Sequence, residues 1–167
     1  MRTGLLLWAA LLLAACDHKS DSSAGTATPA EINSPAGPVI SSNVIVTTQT
    51  SGNFTVDARS EGAATFENRS DQPATFVFKA QGQWSFAPGA GALGPSGASS
   101  PAPSNFLLPG ANSFELVAKR EKGNYTHIGD GTELTLQPHE TISFAMNDIT
   151  GGAADNRGAL KVEWTKK

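Results

Sequence analysis

Cysteine is almost absent from this chain: Cys16 is the single one. No internal disulfide, thiolate nucleophile or cysteine metal cluster can therefore form within the folded part, and its stability must come from burial. Charge is sparse as well, at 16% of residues with a formal net charge of −3. No cluster of Lys and Arg occurs anywhere, which argues against a nucleic-acid partner and against an electrostatic hold on anionic lipid. The longest apolar run, Leu5 to Ala15 (LLLWAALLLAA), falls short of the roughly 17–25 residues that a membrane-spanning helix requires. No segment carries a helical apolar period, and there is no internal repeat. The Gly-x-Ser-x-Gly elbow, His-Glu-x-x-His and nucleotide-loop patterns are all missing, so no enzymatic activity is expected. His127 and His139 stand near strand ends without catalytic company, and Glu140 beside His139 reads as a turn into a strand.

What is present begins with an export signal. Met1-Arg2 supplies positive charge, and the apolar run that follows suits the h-region of a leader. The run closes as Leu13-Ala14-Ala15-Cys16, the pattern of a bacterial lipoprotein cleavage site. Residues 1–15 are thus expected to be removed and Cys16 to be acylated as the new first residue. The plainer alternative is a secretory signal cut after Ala15. Each buried methylene contributes about 0.8 kcal/mol, and more than one chain makes such an anchor durable. Loss of the leader takes Arg2 with it and leaves the chain one unit more acidic. Asp17 follows the cysteine, a residue that in some bacteria keeps a lipoprotein on the inner membrane. The expected address is the cell envelope, periplasmic or surface-exposed. Residues 16–42, rich in Ser, Ala, Gly, Pro and Thr, read as a flexible tether, with His18 solvated inside it.

Residues 43–167 suffice for one domain, and its patterning is that of strands. Nine are expected: Asn43 to Thr48, Asn53 to Val56, Ala63 to Glu67, Ala74 to Ala80, Ser113 to Lys119, Tyr125 to Ile128, Thr132 to Leu136, Glu140 to Met146 and Ala159 to Thr165. Phe114, Leu116 and Ala118 fall on one face, as do Ile142, Phe144 and Met146, and Leu160, Val162 and Trp164, with mostly polar neighbours between. Turn signals such as Gly129-Asp130-Gly131 and Gln137-Pro138 punctuate them. Together they predict an all-β, antiparallel sandwich. Trp164 is expected in the core, and Trp84, at a strand end, is expected there rather than on the surface. Pro88 to Ser104 (PGAGALGPSGASSPAPS) has no charge and almost only small residues, and is expected to be a mobile surface loop rather than an ordered lid.

The loop Asn147 to Gly158 (NDITGGAADNRG) is longer than a tight hairpin needs and is filled with oxygen donors. Calcium takes 6–8 hard oxygens from carboxylates, amides, carbonyls and water. Asp148 begins the loop, Asp155 and Asn156 end it, and Gly151-Gly152 lets a backbone carbonyl turn inward. The other reading is a solvated hairpin, since Asn, Asp and Gly form turns for local reasons. No EF-hand pattern is present.

A run of short motifs resembles the bacterial galactose-specific lectins typified by the PA-I galactophilic lectin. Gly82-Gln83-Trp84-Ser85-Phe86-Ala87-Pro88 is similar to that family's Gly-x-x-Ser-Tyr-x-Pro. Leu93-Gly94-Pro95-Ser96-Gly97 resembles its Trp-Gly-Pro-x-Gly, and Leu116-Val117-Ala118-Lys119 its Leu-Val-x-Lys. Asn147-Asp148 and Asp155-Asn156-Arg157-Gly158 stand at the spacing of its closing loop. The resemblance implies an antiparallel, jelly-roll-like β-sandwich, galactose-binding-domain-like, and a calcium site made by Asp148, the Gly152 carbonyl, Asp155, Asn156 and the Phe86 carbonyl. It also implies a galactose-like carbohydrate bound at the ion, with Phe86, Asp148 and Asp155 touching ligand. The family's His-Pro-x-Gln contact is replaced here by Ser99-Ser100-Pro101-Ala102-Pro103, and its paired cysteines are missing. The expectation is a membrane-anchored, calcium-dependent carbohydrate-binding module. The alternative is a lipoprotein that keeps the fold and binds an envelope protein without sugar.

Overall fold

The computed structural model describes residues 44–46 and 49–167. The expected leader (1–15), acylated Cys16, Asp17 and tether (16–42) lie outside the described residues. Nine strands follow in order: β1 Val44–Val46, β2 Ser51–Asp57, β3 Ala64–Glu67, β4 Ala74–Ser85, β5 Leu116–Arg120, β6 Tyr125–His127, β7 Gly131–Leu136, β8 Thr141–Met146 and β9 Arg157–Lys166. A single 3-10 turn, Ala153–Asp155, interrupts the loop before β9. Among the described residues, no helix is long and apolar enough to cross a membrane.

The strands form two sheets, a five-stranded one ordered β1-β3-β8-β5-β6 and a four-stranded one ordered β2-β9-β4-β7. The pairing is antiparallel throughout, except that β1 runs parallel to β3. The expected all-β sandwich is thus present, with one parallel pair at its edge. Alternation explains the layers. Ile142, Phe144 and Met146 of β8 face Leu160, Val162 and Trp164 of β9 across one continuous core. Phe66 of β3 sits at its centre, edge-on to Phe76 and Phe78 of β4 at 4.9 and 5.1 Å and to Trp164 at 5.2 Å. Such edge-to-face contacts add about 0.5–1.5 kcal/mol each beyond the burial of the rings. Trp84 and Trp164 are both buried, as expected.

Three local expectations are corrected. First, β4 continues past Ala80 to Ser85, because Gly82 at φ 113° lets the chain stay paired with Leu160 while Trp84 re-enters the core. Second, β5 begins at Leu116 and not at Ser113, because Phe114 adopts φ 63°. The Phe114 ring packs at the margin of the core and stacks on Phe86, 4.2 Å away and nearly parallel.

Third, the stretch after Pro88 is not a free loop. Leu93 pairs with Trp84, the Pro95 carbonyl accepts from Leu116 N at 2.8 Å, and Ala98 N and Ser113 N bond across to Ser113 O and Ser100 O. Ala102 is buried, and its backbone groups bond Ala111 and Gly110. The segment therefore has its backbone hydrogen bonds satisfied by defined partners, which is what an ordered covering layer requires. Asn147, at the end of β8, fastens it. Its Nδ2 donates to the carbonyls of Leu108 and Asn112, and its Oδ1 accepts from Leu108 N.

Candidate functional site

The loop that leaves β8 holds three of the six buried polar side chains among the described residues. Asn147, Asp148 and Asn156 are 0%, 7% and 0% exposed. Burying polar groups costs free energy unless they are hydrogen-bonded, so their partners define what this region can do. Asp148 Oδ1 accepts from Ile149 N at 2.7 Å, and its Oδ2 accepts from Asn156 Nδ2 at 3.1 Å. Asn156 Nδ2 also donates to the Ala58 carbonyl at 3.1 Å and lies 3.4 Å from Met146 Sδ. Three acceptors around one nitrogen fix the orientation of this amide, since a flipped group would set oxygen against oxygen. The consequence falls on the other end: Asn156 Oδ1 is buried and has no hydrogen-bond partner.

Local structure explains this geometry. The Gly152 N–H donates to the Ile149 carbonyl, closing a tight turn that Gly151 (φ 78°) allows. Ala153–Asp155 then makes one 3-10 turn that delivers Asn156 in an extended conformation (φ −60°, ψ 155°). Gly158 (φ 88°) has no room for a side chain, as a Cβ there would meet the Gln83 carbonyl oxygen at 2.7 Å. The β4–β9 ladder ends with Ser85 opposite Arg157, so Phe86 is the first residue after β4 and Asn156 the last before β9.

The five residues expected to ligate an ion are therefore distributed as follows. Asp148 and Asn156 touch, Phe86 follows the last residue of β4, and Gly152 and Asp155 flank the intervening turn. Asp155 is exposed, and its side chain makes no hydrogen bond or ion pair among the described residues. Among those residues there is also no group of three or more His, Cys, Asp or Glu side chains placed to hold a metal. A site here relies instead on amide and backbone oxygens.

Two neighbours escaped sequence reasoning. Glu61, on the turn after β2, accepts from Gly151 N through Oε1 at 2.6 Å and so ties a second loop to this one. Asp57, at the end of β2, is partly buried, which pushes its carboxyl up. The Arg59 side chain and backbone N–H outweigh that and hold it below the ordinary Asp range. No short-range pattern announces the Glu61 contact, which joins residues 90 apart.

The histidines are occupied elsewhere. His127 Nδ1 lies 2.9 Å from Oε2 of the buried Glu115. His139 approaches Asp71 at 3.4 Å, while Glu140 is taken by Arg120 and by Gln137 N. A cleft of about 330 Å³ lies between the turns at 120–123 and 137–140, at the opposite end of β5 and β8 from Asp148.

No protein-family model matches the chain, and no curated protein matches it. Among solved structures it is similar to the EclA N-terminal domain, a PllA-like lectin. The TM-score is 0.46 and the identity 20%, over 71% of this chain and 97% of that one. The all-β sandwich itself stands on the strand pairing and core described above.

Proposed function

We propose that the domain binds calcium at the Asp148–Asn156 loop, that the ion receives hydroxyls of a carbohydrate, and that the chain is a lipid-anchored protein of the bacterial envelope. One observation carries the metal reading: the buried, unpartnered Oδ1 of Asn156, on a side chain already bonded to the Asp148 carboxylate. A buried acceptor without a donor costs about 1–3 kcal/mol. A hard cation satisfies such an oxygen, and a carboxylate, an amide oxygen and backbone carbonyls are the donors calcium prefers. Asp148, Asn156, the Gly152 and Phe86 carbonyls and Asp155 would form the shell. The exposure of Asp155 leaves its carboxylate free to turn toward the ion. Bound calcium would supply a positive centre that two neighbouring hydroxyls can complete.

The sugar part rests on the sequence resemblance. The partner-binding alternative has its own support, because Ser99–Pro103 offers neither His nor Gln for a further hydroxyl. A site without those partners loses discrimination between sugars.

Thermal melting of the full chain in mild detergent tests the metal step. At a calcium concentration one hundred times Kd the expected stabilisation is about 2.7 kcal/mol, or roughly 10 °C at this size. Asp148→Asn is expected to remove the gain. A melting temperature that ignores calcium contradicts the reading. A glycan array run with calcium and with chelator then separates sugar binding from the protein-partner alternative.

A further inference from the structure

The turn Ile149–Gly152 is held from outside. Gly152 N donates to the Ile149 carbonyl at 2.9 Å. Gly151, third of the four residues, stands at φ 78°, while Thr150 before it keeps a negative φ. That is the φ pattern of a type II turn. A type I turn over the same residues differs by a flip of the central peptide, here Thr150–Gly151. Glycine adopts either sign of φ about as readily, and a Cβ at Gly151 would meet nothing within 4 Å. Neither the residue nor its packing therefore selects the orientation. The turn's own hydrogen bond leaves the Gly151 N–H free, and Glu61 Oε1 accepts it at 2.6 Å. A flipped peptide would point the Thr150 carbonyl at the Glu61 carboxylate, oxygen against oxygen.

Glu61 stands on a fixed platform, the connection from β2 to β3. There Ser60 N bonds the Asp57 carbonyl, and the Asp57 carboxylate accepts from both the Arg59 N–H and the Arg59 guanidinium. Gly62 (φ 82°) passes so close to Ser143 that a Cβ would lie 3.3 Å from its hydroxyl. The same connection touches the β8–β9 loop a second time, because the Ala58 carbonyl accepts from Asn156 Nδ2 at 3.1 Å. One short segment thus grips both limbs of the loop, the turn through Glu61 and the closing amide through Ala58. Glu61 is exposed, so the fold does not depend on burying it.

We propose that Glu61 is a positioning residue for the ion site: by locking the Thr150–Gly151 peptide it pre-organises the backbone that carries the Gly152 carbonyl. This rests on the calcium reading above and adds a residue that acts through the loop and not on the ion. The chain order shows why a lock matters. Gly152 follows the flippable peptide directly, and the 3-10 turn Ala153–Asp155 that delivers Asn156 follows Gly152. Without the lock, two orientations of the turn are open, and ion binding has to order them at a cost in affinity. A carboxylate also attracts a cation at a distance through its charge, an effect that salt screens. Glutamine separates the two effects, because it keeps an acceptor oxygen and carries no charge.

Calorimetric titration of calcium into the full chain in mild detergent compares Glu61→Gln and Glu61→Ala with the wild type. Amide exchange of Gly151 without calcium is followed alongside by NMR. Glu61→Gln is expected to bind within about threefold of wild type and to keep Gly151 protected, since the hydrogen bond survives. Glu61→Ala is expected to bind about tenfold more weakly, as a competent turn populated to about one-tenth would. Its Gly151 amide is expected to exchange at least about tenfold faster. Melting temperatures close to wild type show that both variants are folded. Equal calcium affinity in all three proteins overturns the positioning role alone. So does a Glu61→Gln as weak as Glu61→Ala, which assigns the effect to charge, or a Gly151 amide that exchanges freely in the wild type. A wild type that binds no calcium removes the ion site and the positioning role together.

Discussion

Phe114 and Gly97 face each other where the covering segment meets β5, and each accounts for the other. The left-handed Phe114 (φ 63°) brings the 113–115 backbone close to Gly97, which itself sits at φ 69°. A Cβ at Gly97 would run into the Ser113 carbonyl oxygen and the Glu115 nitrogen. The Ser113 oxygen accepts from Ala98 N, and the Glu115 backbone is held through its carbonyl, which accepts from Asn147 N, so neither residue can give way cheaply. Gly97→Ala combines a positive-φ penalty with a clash and is expected to cost about 3 kcal/mol or more. Chemical denaturation should show the midpoint falling at unchanged slope. A change below 0.5 kcal/mol would show that the 97–115 contact relaxes freely. At this scale the sequence was informative about chemistry and blind to backbone: Asp148 and Asn156 were legible as oxygen donors, whereas the positive φ of Phe114 had no local signal. Strand alternation placed Phe114 in the strand with Leu116 and Ala118, whereas its left-handed backbone, held by Trp84 and Asn147, starts β5 only at Leu116.

Between elements, the decisive link is Asn147. Its amide makes three hydrogen bonds to Leu108 and Asn112, so one side chain at the end of β8 holds the far part of the 88–112 segment on the sheet. Asn147→Ala leaves those backbone groups without their partner and is expected to cost about 2–4 kcal/mol. Hydrogen exchange should report the loss locally. Leu108 and its neighbours should lose protection at least tenfold, while the β4–β9 ladder keeps its own. Uniform loss across the domain would instead make Asn147 part of the global core. The strands were readable because each carries period-two alternation: β2, β3, β7, β8 and β9 each span the segment expected for them to within two residues at either end. The covering segment was not, because small residues have no period and its anchor lies 35–39 positions away in sequence. Parallel pairing of β1 with β3 was equally hidden, since alternation fixes faces and says nothing of neighbours.

At the scale of the molecule, a conventional apolar sandwich carries several departures from that pattern together at one end. The core is a continuous aromatic and aliphatic cluster, and the outer faces are polar and paired by contacts such as Lys161–Glu163. Buried, imperfectly satisfied oxygen, backbone strain and exposed aromatic surface meet at the loops around Asp148. Local inconsistencies of this kind are expected at functional sites, where stability is given up for binding. The sequence resemblance pointed to the same end of the fold, through the spacing of Asn147-Asp148 and Asp155-Asn156.

Titration calorimetry of calcium into the full chain, alongside Asn156→Leu, addresses the central claim most directly. A melting curve within a few degrees of wild type establishes that the variant is folded. The wild type is predicted to bind one ion per chain with a chelator-reversible heat, and Asn156→Leu, which removes the unpartnered oxygen, to bind at least a hundredfold more weakly. No saturable heat in the wild type, or equal binding by the two proteins, would contradict the account.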